Sequence, residues 1–137
     1  MSAYRFMLDT NAASALIRGK EAAALHMLLI EAPVCISVIT EAELRFGVSR
    51  KPGATRLAQT VESFLQNTPV IPWTSATART YADLRARMES DGINLSAMDL
   101  LIAAQAIAEN CTLVSADRAF AMVPGLRVMD SAASPGN

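Results

Sequence analysis

Apolar and polar positions alternate along this chain in blocks that predict strands and helices in turn. Residues 5–8 read as a short buried strand, ending at Asp9-Thr10-Asn11, whose polar side chains can cap a following helix over 12–17. Gly19 breaks that helix, and a second is predicted over 21–31, stopped near Pro33. The β-branched run 34–37 predicts a strand, and Thr40 starts a helix through about Phe46. Pro52-Gly53 marks a turn, and Leu57, Val61, Phe64 and Leu65 fall at helical spacing. The segment 69–72 is bracketed by prolines and suggests a brief strand. Residues 75–91 form a long amphipathic helix with Tyr81, Leu84 and Met88 on one stripe, closed by Asp91-Gly92. Ser96 opens a helix over 97–109 that is apolar on most faces, so it is expected to be buried. A strand over 112–115, a turn or short helix over 117–121 and a last strand over 126–129 complete the pattern.

Strands alternating with helices predict an α/β fold, a parallel sheet covered by helices through right-handed crossovers. No repeat and no internal linker interrupts the pattern. One domain is expected over 1–130, followed by a frayed tail over 131–137 that carries Pro135-Gly136.

Composition narrows the function. The chain has 137 residues, is 52% hydrophobic and carries a formal charge of −1, which excludes a disordered tail-like protein and a binder working by bulk basicity. No apolar run is long enough to span a bilayer, and 1–9 has no secretory pattern, so a cytoplasmic protein without membrane contact is expected. Cys35 and Cys111 are far apart in sequence, in no metal-type spacing, and read as free thiols in the core. A single histidine, His26, excludes a nuclease that works with a histidine pair. No lysine follows Lys51, which removes receiver-like and haloacid-type phosphatase readings; the latter also needs an acid where Asn11 stands.

In parallel sheets the sites lie off the carboxyl ends of the strands. Asp9 ends the first predicted strand, Glu43 follows the second, Asp99 opens the helix leading to the fourth, and Asp117 follows that strand. Four carboxylates at one sheet edge cannot all ionise without compensation, which bound divalent cations supply. Hard oxygen ligands suit Mg2+ or Mn2+, and the chemistry predicted is metal-dependent phosphodiester hydrolysis. Each acid has a plainer reading. Thr40-x-x-Glu43 and Ser96-x-x-Asp99 resemble capping boxes, and Asp9 and Asp117 favour turns or helix starts.

Four segments in order carry a resemblance: Met7-Leu-Asp-Thr-Asn11, 37–47 (SVITEAELRFG), 97–104 (AMDLLIAA) and 112–117 (TLVSAD), with 120–126 following. The chain resembles the PIN-domain ribonucleases, and most closely the VapC-like toxins of bacterial type II toxin–antitoxin pairs. The resemblance implies a three-layer α/β/α sandwich around a parallel sheet. It places the acidic site on Asp9, Glu43, Asp99 and Asp117, with metal contact by Asp9, Asp99 and Asp117, and Glu43 acting directly or through water. Thr10, Asn11 and Ser115 match positions that orient the acids. It also implies an RNA substrate, a cognate antitoxin in a groove walled by the first helices, and a homodimer. Arg45, Arg50 and Lys51 form a basic stretch suited to the RNA backbone, against the plainer reading of a solvated helix end with Arg45 pairing Glu41. Two other functions stay open at this point: a PIN-type nuclease outside toxin–antitoxin pairs, and a non-catalytic co-repressor that only binds an antitoxin.

Overall fold

The computed structural model describes residues 4–20 and 23–132. Its sheet has five strands, β1 (Phe6–Leu8), β2 (Val34–Ser37), β3 (Val70–Ile71), β4 (Thr112–Ser115) and β5 (Val128–Asp130), in the order β3-β2-β1-β4-β5. All four pairings are parallel; β1 aligns Leu8 with Ile36 on one side and with Val114 on the other. The chain therefore starts at the centre, winds outward through β2 and β3, then returns to β1 and winds out the other way. Between β1 and β4 the winding reverses, which makes their carboxyl ends the switch-point crevice of the sheet.

The alternation of side chains along each strand divides the core in two. Leu8, Ile36 and Val114 face a layer of α1 (Thr10–Ile17), α2 (Ala23–Glu31), α3 (Val38–Ser49) and α4 (Thr55–Asn67), where Ala12, Ala13, Leu44, Val61 and Leu65 close the packing. Met7, Cys35 and Leu113 face the other layer, α5 (Ser75–Ser90) and α6 (Ala97–Ala108), with Leu84, Met88 and Ile102. The three-layer sandwich is thus the one expected. The change of face after β3 is what right-handed crossovers require when the winding reverses. In α6 the small residues Ala103, Ala104 and Ala106 are fully buried, so the helix lies close on the sheet.

Several boundaries differ from expectation. Asp9, not a later residue, caps α1: its carboxylate accepts from the Ala12 amide at 2.8 Å, so the helix begins at Thr10 rather than at residue 12. Ser37 caps α3, accepting from the Ile39 amide at 2.9 Å, so that helix begins at Val38 and Thr40 is buried inside its first turn. The Thr40-x-x-Glu43 capping box therefore does not form. Residues 21–22 of the predicted second helix lie outside the described residues. The turn after β4 is a 3-10 helix (Arg118–Met122), and β5 starts two residues later than predicted. Ser131, placed in a frayed tail by composition, is buried and its amide bonds to the Ser115 carbonyl; 133–137 lie outside the described residues.

Cys35 and Cys111 are both free and buried, as expected. They are also neighbours: their mutual hydrogen bond, then burial, pushes the Cys35 thiol pKa up, which keeps it protonated and unreactive.

Candidate active site

Asp9 is the centre of the site. It is 3% exposed, and its backbone amide is tied to the Val114 carbonyl at 3.1 Å, so the strand pairing fixes where its carboxylate emerges. Burial pushes its pKa up. Hydrogen bonds from the Ser115 hydroxyl and the Ala12 amide pull it back, and the charges of Asp99 and Asp117 push it up again. The three aspartates thus share one field, although they come from β1, α6 and the turn after β4.

Ser115 links two of them. Its buried hydroxyl donates to Asp9 and accepts from the Asp117 amide at 3.0 Å. Asp117 is exposed and caps the 3-10 helix through the Ala119 amide at 2.9 Å. Asp99 is half-buried in the first turn of α6. The Ser96 hydroxyl there accepts from the Asp99 amide at 3.2 Å, which leaves the Asp99 carboxylate out of the cap contact.

Glu43 sits in the second turn of α3, because Ser37 rather than Thr40 starts the helix. Its Oε1 accepts from the Thr10 hydroxyl at 2.9 Å. Thr10 Oγ1 also lies 3.3 Å from Thr40 Oγ1. A hydroxyl has one proton, and that of Thr10 is used on Glu43, so Thr40 donates to Thr10. A directed chain therefore runs from buried Thr40 through Thr10 to Glu43. Thr40 is the orienting residue that sequence reasoning missed; its reading as a helix cap hid it. Thr40→Val is expected to keep the fold at a cost of about 1 kcal/mol. It should lower kcat about fivefold with KM unchanged, and steady-state kinetics beside thermal melting checks both.

The remaining predicted residues are placed as follows. Asn11 is exposed, lines a separate small cavity with Lys20 and Ala116, and makes no hydrogen bond to the acids. Arg45 bonds Glu41 at 2.8 Å and Glu62 at 3.0 Å, so the plainer reading of that residue describes its position. Arg50 stacks its guanidinium on the Phe46 ring, 5.1 Å from the centroid. Arg50 and Lys51 share a cavity wall with Thr10, Glu43 and Arg18, the last unnoticed in the sequence because it lies far from the basic stretch.

The donors are hard oxygens in a shared negative field, which fits a divalent cation. Among the described residues no three such side chains already close around a single point. Carboxylates from separate elements, with water and substrate completing the shell, suit a loosely held magnesium-like ion better than a dedicated protein cage.

The aspartates gather at the switch point of a parallel α/β/α sandwich, and the hydroxyl between them, that of Ser115, is committed to Asp9. The chain belongs to the PIN-domain family, whose domain model matches residues 6–126. It is 34% identical to ribonuclease VapC2 of Rickettsia felis over 74% of this chain and 77% of that protein. It is 30% identical to the tRNA(fMet)-specific endonuclease VapC of Shigella flexneri over 92% of this chain and 97% of that one. The crystal structure of VapBC2 from Rickettsia felis, bound to a DNA fragment from its promoter, superposes with a TM-score of 0.83 at 31% identity, covering 91% of this chain and 97% of the matched one. Divalent-metal dependence is general in this family.

Proposed function

We propose that the chain is a Mg2+- or Mn2+-dependent endoribonuclease, the toxin of a VapBC-type toxin–antitoxin pair. The observation that carries this reading is Asp9: a buried carboxylate held by Ser115 and the Ala12 amide in the field of Asp99 and Asp117. Such an arrangement is costly unless a cation is bound there.

Asp9, Asp99 and Asp117 would hold the ion, which when bound supplies positive charge to the phosphoryl oxygens and acidity to water. Glu43 does the proton work. Thr10 occupies Oε1 and leaves Oε2 to accept a proton from the attacking water. Water oxygen bonds to phosphorus as the bond to the 3′ oxygen breaks; the leaving oxygen takes a proton from solvent water while Glu43 later returns its own to solvent, giving a 5′-phosphate and a 3′-hydroxyl. Ser115 holds Asp9 and the Asp117 backbone in register while the charges redistribute.

The partners of this reading are RNA, a cognate antitoxin and a second copy of the chain. Phe46, Ile30 and Met122 are 62%, 74% and 63% exposed, which gives apolar surface for protein contacts. Light scattering that shows only monomer at every concentration would remove the homodimer. Among the described residues no helix is long and apolar enough to cross a membrane, and the cytoplasm is the proposed place of action.

The test is cleavage of a total RNA pool by the purified chain with magnesium, with manganese and with chelator. Discrete fragments with either metal, and none with chelator, are expected. No cleavage under any metal, together with flat calorimetric titrations of both ions, would overturn the proposal.

A further inference from the structure

We propose that the cavity between α1 and α3 seats an RNA phosphate that flanks the scissile bond, held by Arg18, Arg50 and Lys51 over Gly47. The inference rests on the nuclease reading above.

The cavity holds about 150 Å³ of space, room for a phosphate and part of a ribose. Thr10 and Glu43 line one end, Arg18, Arg50 and Lys51 line the other, and Ile17, Leu44 and Val48 with Leu57 and Val61 of α4 form an apolar floor between them. Both helices lead from one end to the other. Asp9 caps the start of α1 and Arg18 caps its end; α3 carries Glu43 early and Arg50 caps its end. At the rise of an α-helix the cations lie about 10–14 Å from the acids, about two nucleotides along a strand.

Among the described residues none of the three cations has a carboxylate partner, although Arg50 lies over the Phe46 ring. Neighbouring Arg45, by contrast, is bound to two carboxylates. Cations at helix ends also offset the helix dipole, and that alone would explain two of them. It does not explain Gly47. A glycine inside a helix is destabilising against alanine. Nothing here demands one: its φ is not positive, and an added Cβ would meet nothing within 4 Å. What the glycine does is keep the wall of α3 low where it borders the cavity. A basic rim, a carboxylate end and a bare helix wall together describe a seat for an anionic backbone beside the reacting centre.

The experiment measures binding of a fluorescein-labelled single-stranded oligoribonucleotide by anisotropy, in chelator and across salt concentrations, and KM and kcat for its cleavage with magnesium. The variants are Arg18→Ala/Arg50→Ala/Lys51→Ala, Gly47→Leu, and Arg79→Ala on the exposed side of α5 as control. The triple variant should bind about tenfold more weakly, with its salt slope reduced by about 0.7, the loss that one phosphate contact gives on a single strand. Its KM should rise with kcat nearly unchanged. Gly47→Leu keeps every charge and improves helix propensity, so it should melt no lower and still bind more weakly with an unchanged slope. Unchanged binding and slope in the triple variant, with metal-dependent cleavage intact, overturns the seat and leaves the nuclease standing. Wild-type affinity in Gly47→Leu also overturns it, since the charges would then act from the surface alone. A wild-type chain that neither binds nor cuts RNA brings down the nuclease reading itself.

Discussion

Asp99→Asn is expected to abolish RNA cleavage, by a factor of about 10³ or more, while the protein melts within about 1 kcal/mol of the wild type. The two effects separate because the residue serves the fold and the site through different atoms. Its amide is the one that Ser96 caps, and asparagine keeps it. Its carboxylate is half-buried and contributes a favourable charge to the first turn of α6, worth about 0.3–1 kcal/mol. On the chemical side, a neutral amide is a poor ligand for a hard cation, and a single lost group that stabilises transition-state charge costs about 10²–10³ by itself. Removing the charge also lets the Asp9 pKa fall back, since Asp99 is one of the groups that raise it. The check is cleavage of an RNA pool beside circular dichroism and thermal melting; full activity in this variant would dismantle the assignment of the site.

Asp9→Asn should do something less intuitive: end activity and raise the melting temperature of the metal-free protein by about 3–5 °C, the effect of roughly 1 kcal/mol on a chain of this size. The buried carboxyl has its folded pKa raised above the ordinary value of 3.8. Such a group stabilises the fold fully below its unfolded pKa, and that contribution is lost as pH rises through the folded pKa. At neutral pH the wild type carries the cost in full, and asparagine does not. Asparagine is an equally good cap, so the bond from the Ala12 amide survives. The stability difference should therefore be small near pH 3, grow through the range above pH 4 and level off. Magnesium should raise the wild-type melting temperature and leave the variant unmoved. A wild type more stable than Asp9→Asn at neutral pH without metal would contradict the electrostatic account.

Much of this was legible in the sequence, and the parts that were not share a cause. The strands 34–37 and 112–115 stand at their predicted bounds, because short β-branched runs between turn residues leave little choice. Element order implied a parallel sheet. The strand order did not follow from it, since nothing local in 5–8 says that this strand is central. The start of α3 was misplaced because Ser37 and Thr40 are both good caps; the burial of Thr40 decides between them, and burial is a tertiary fact. Glu43 thereby moves from the first turn to the second, into reach of Thr10. Arg18 was overlooked for the same reason: 32 residues separate it from Arg50, and only the packing of α1 on α3 brings them to one cavity. Gln105, the lone polar residue among the buried apolar ones of α6, could not be assigned a purpose either. Its Nε2 bonds the carbonyls of Ile71 and Pro72, 3.0 Å each, and so ties the end of β3 to the helix that carries Asp99.

The sheet order has a consequence for how the protein is made. β1 leaves the ribosome before every strand it pairs with, and its second neighbour, β4, is synthesised more than a hundred residues later. Asp9 is tied to Val114 and to Ser115 as well as to the Ala12 amide, so its carboxylate gains its full set of partners only when that stretch has emerged. Competence of the proposed site therefore waits on residues 112–117, however early the first layer of helices packs on β1, β2 and β3.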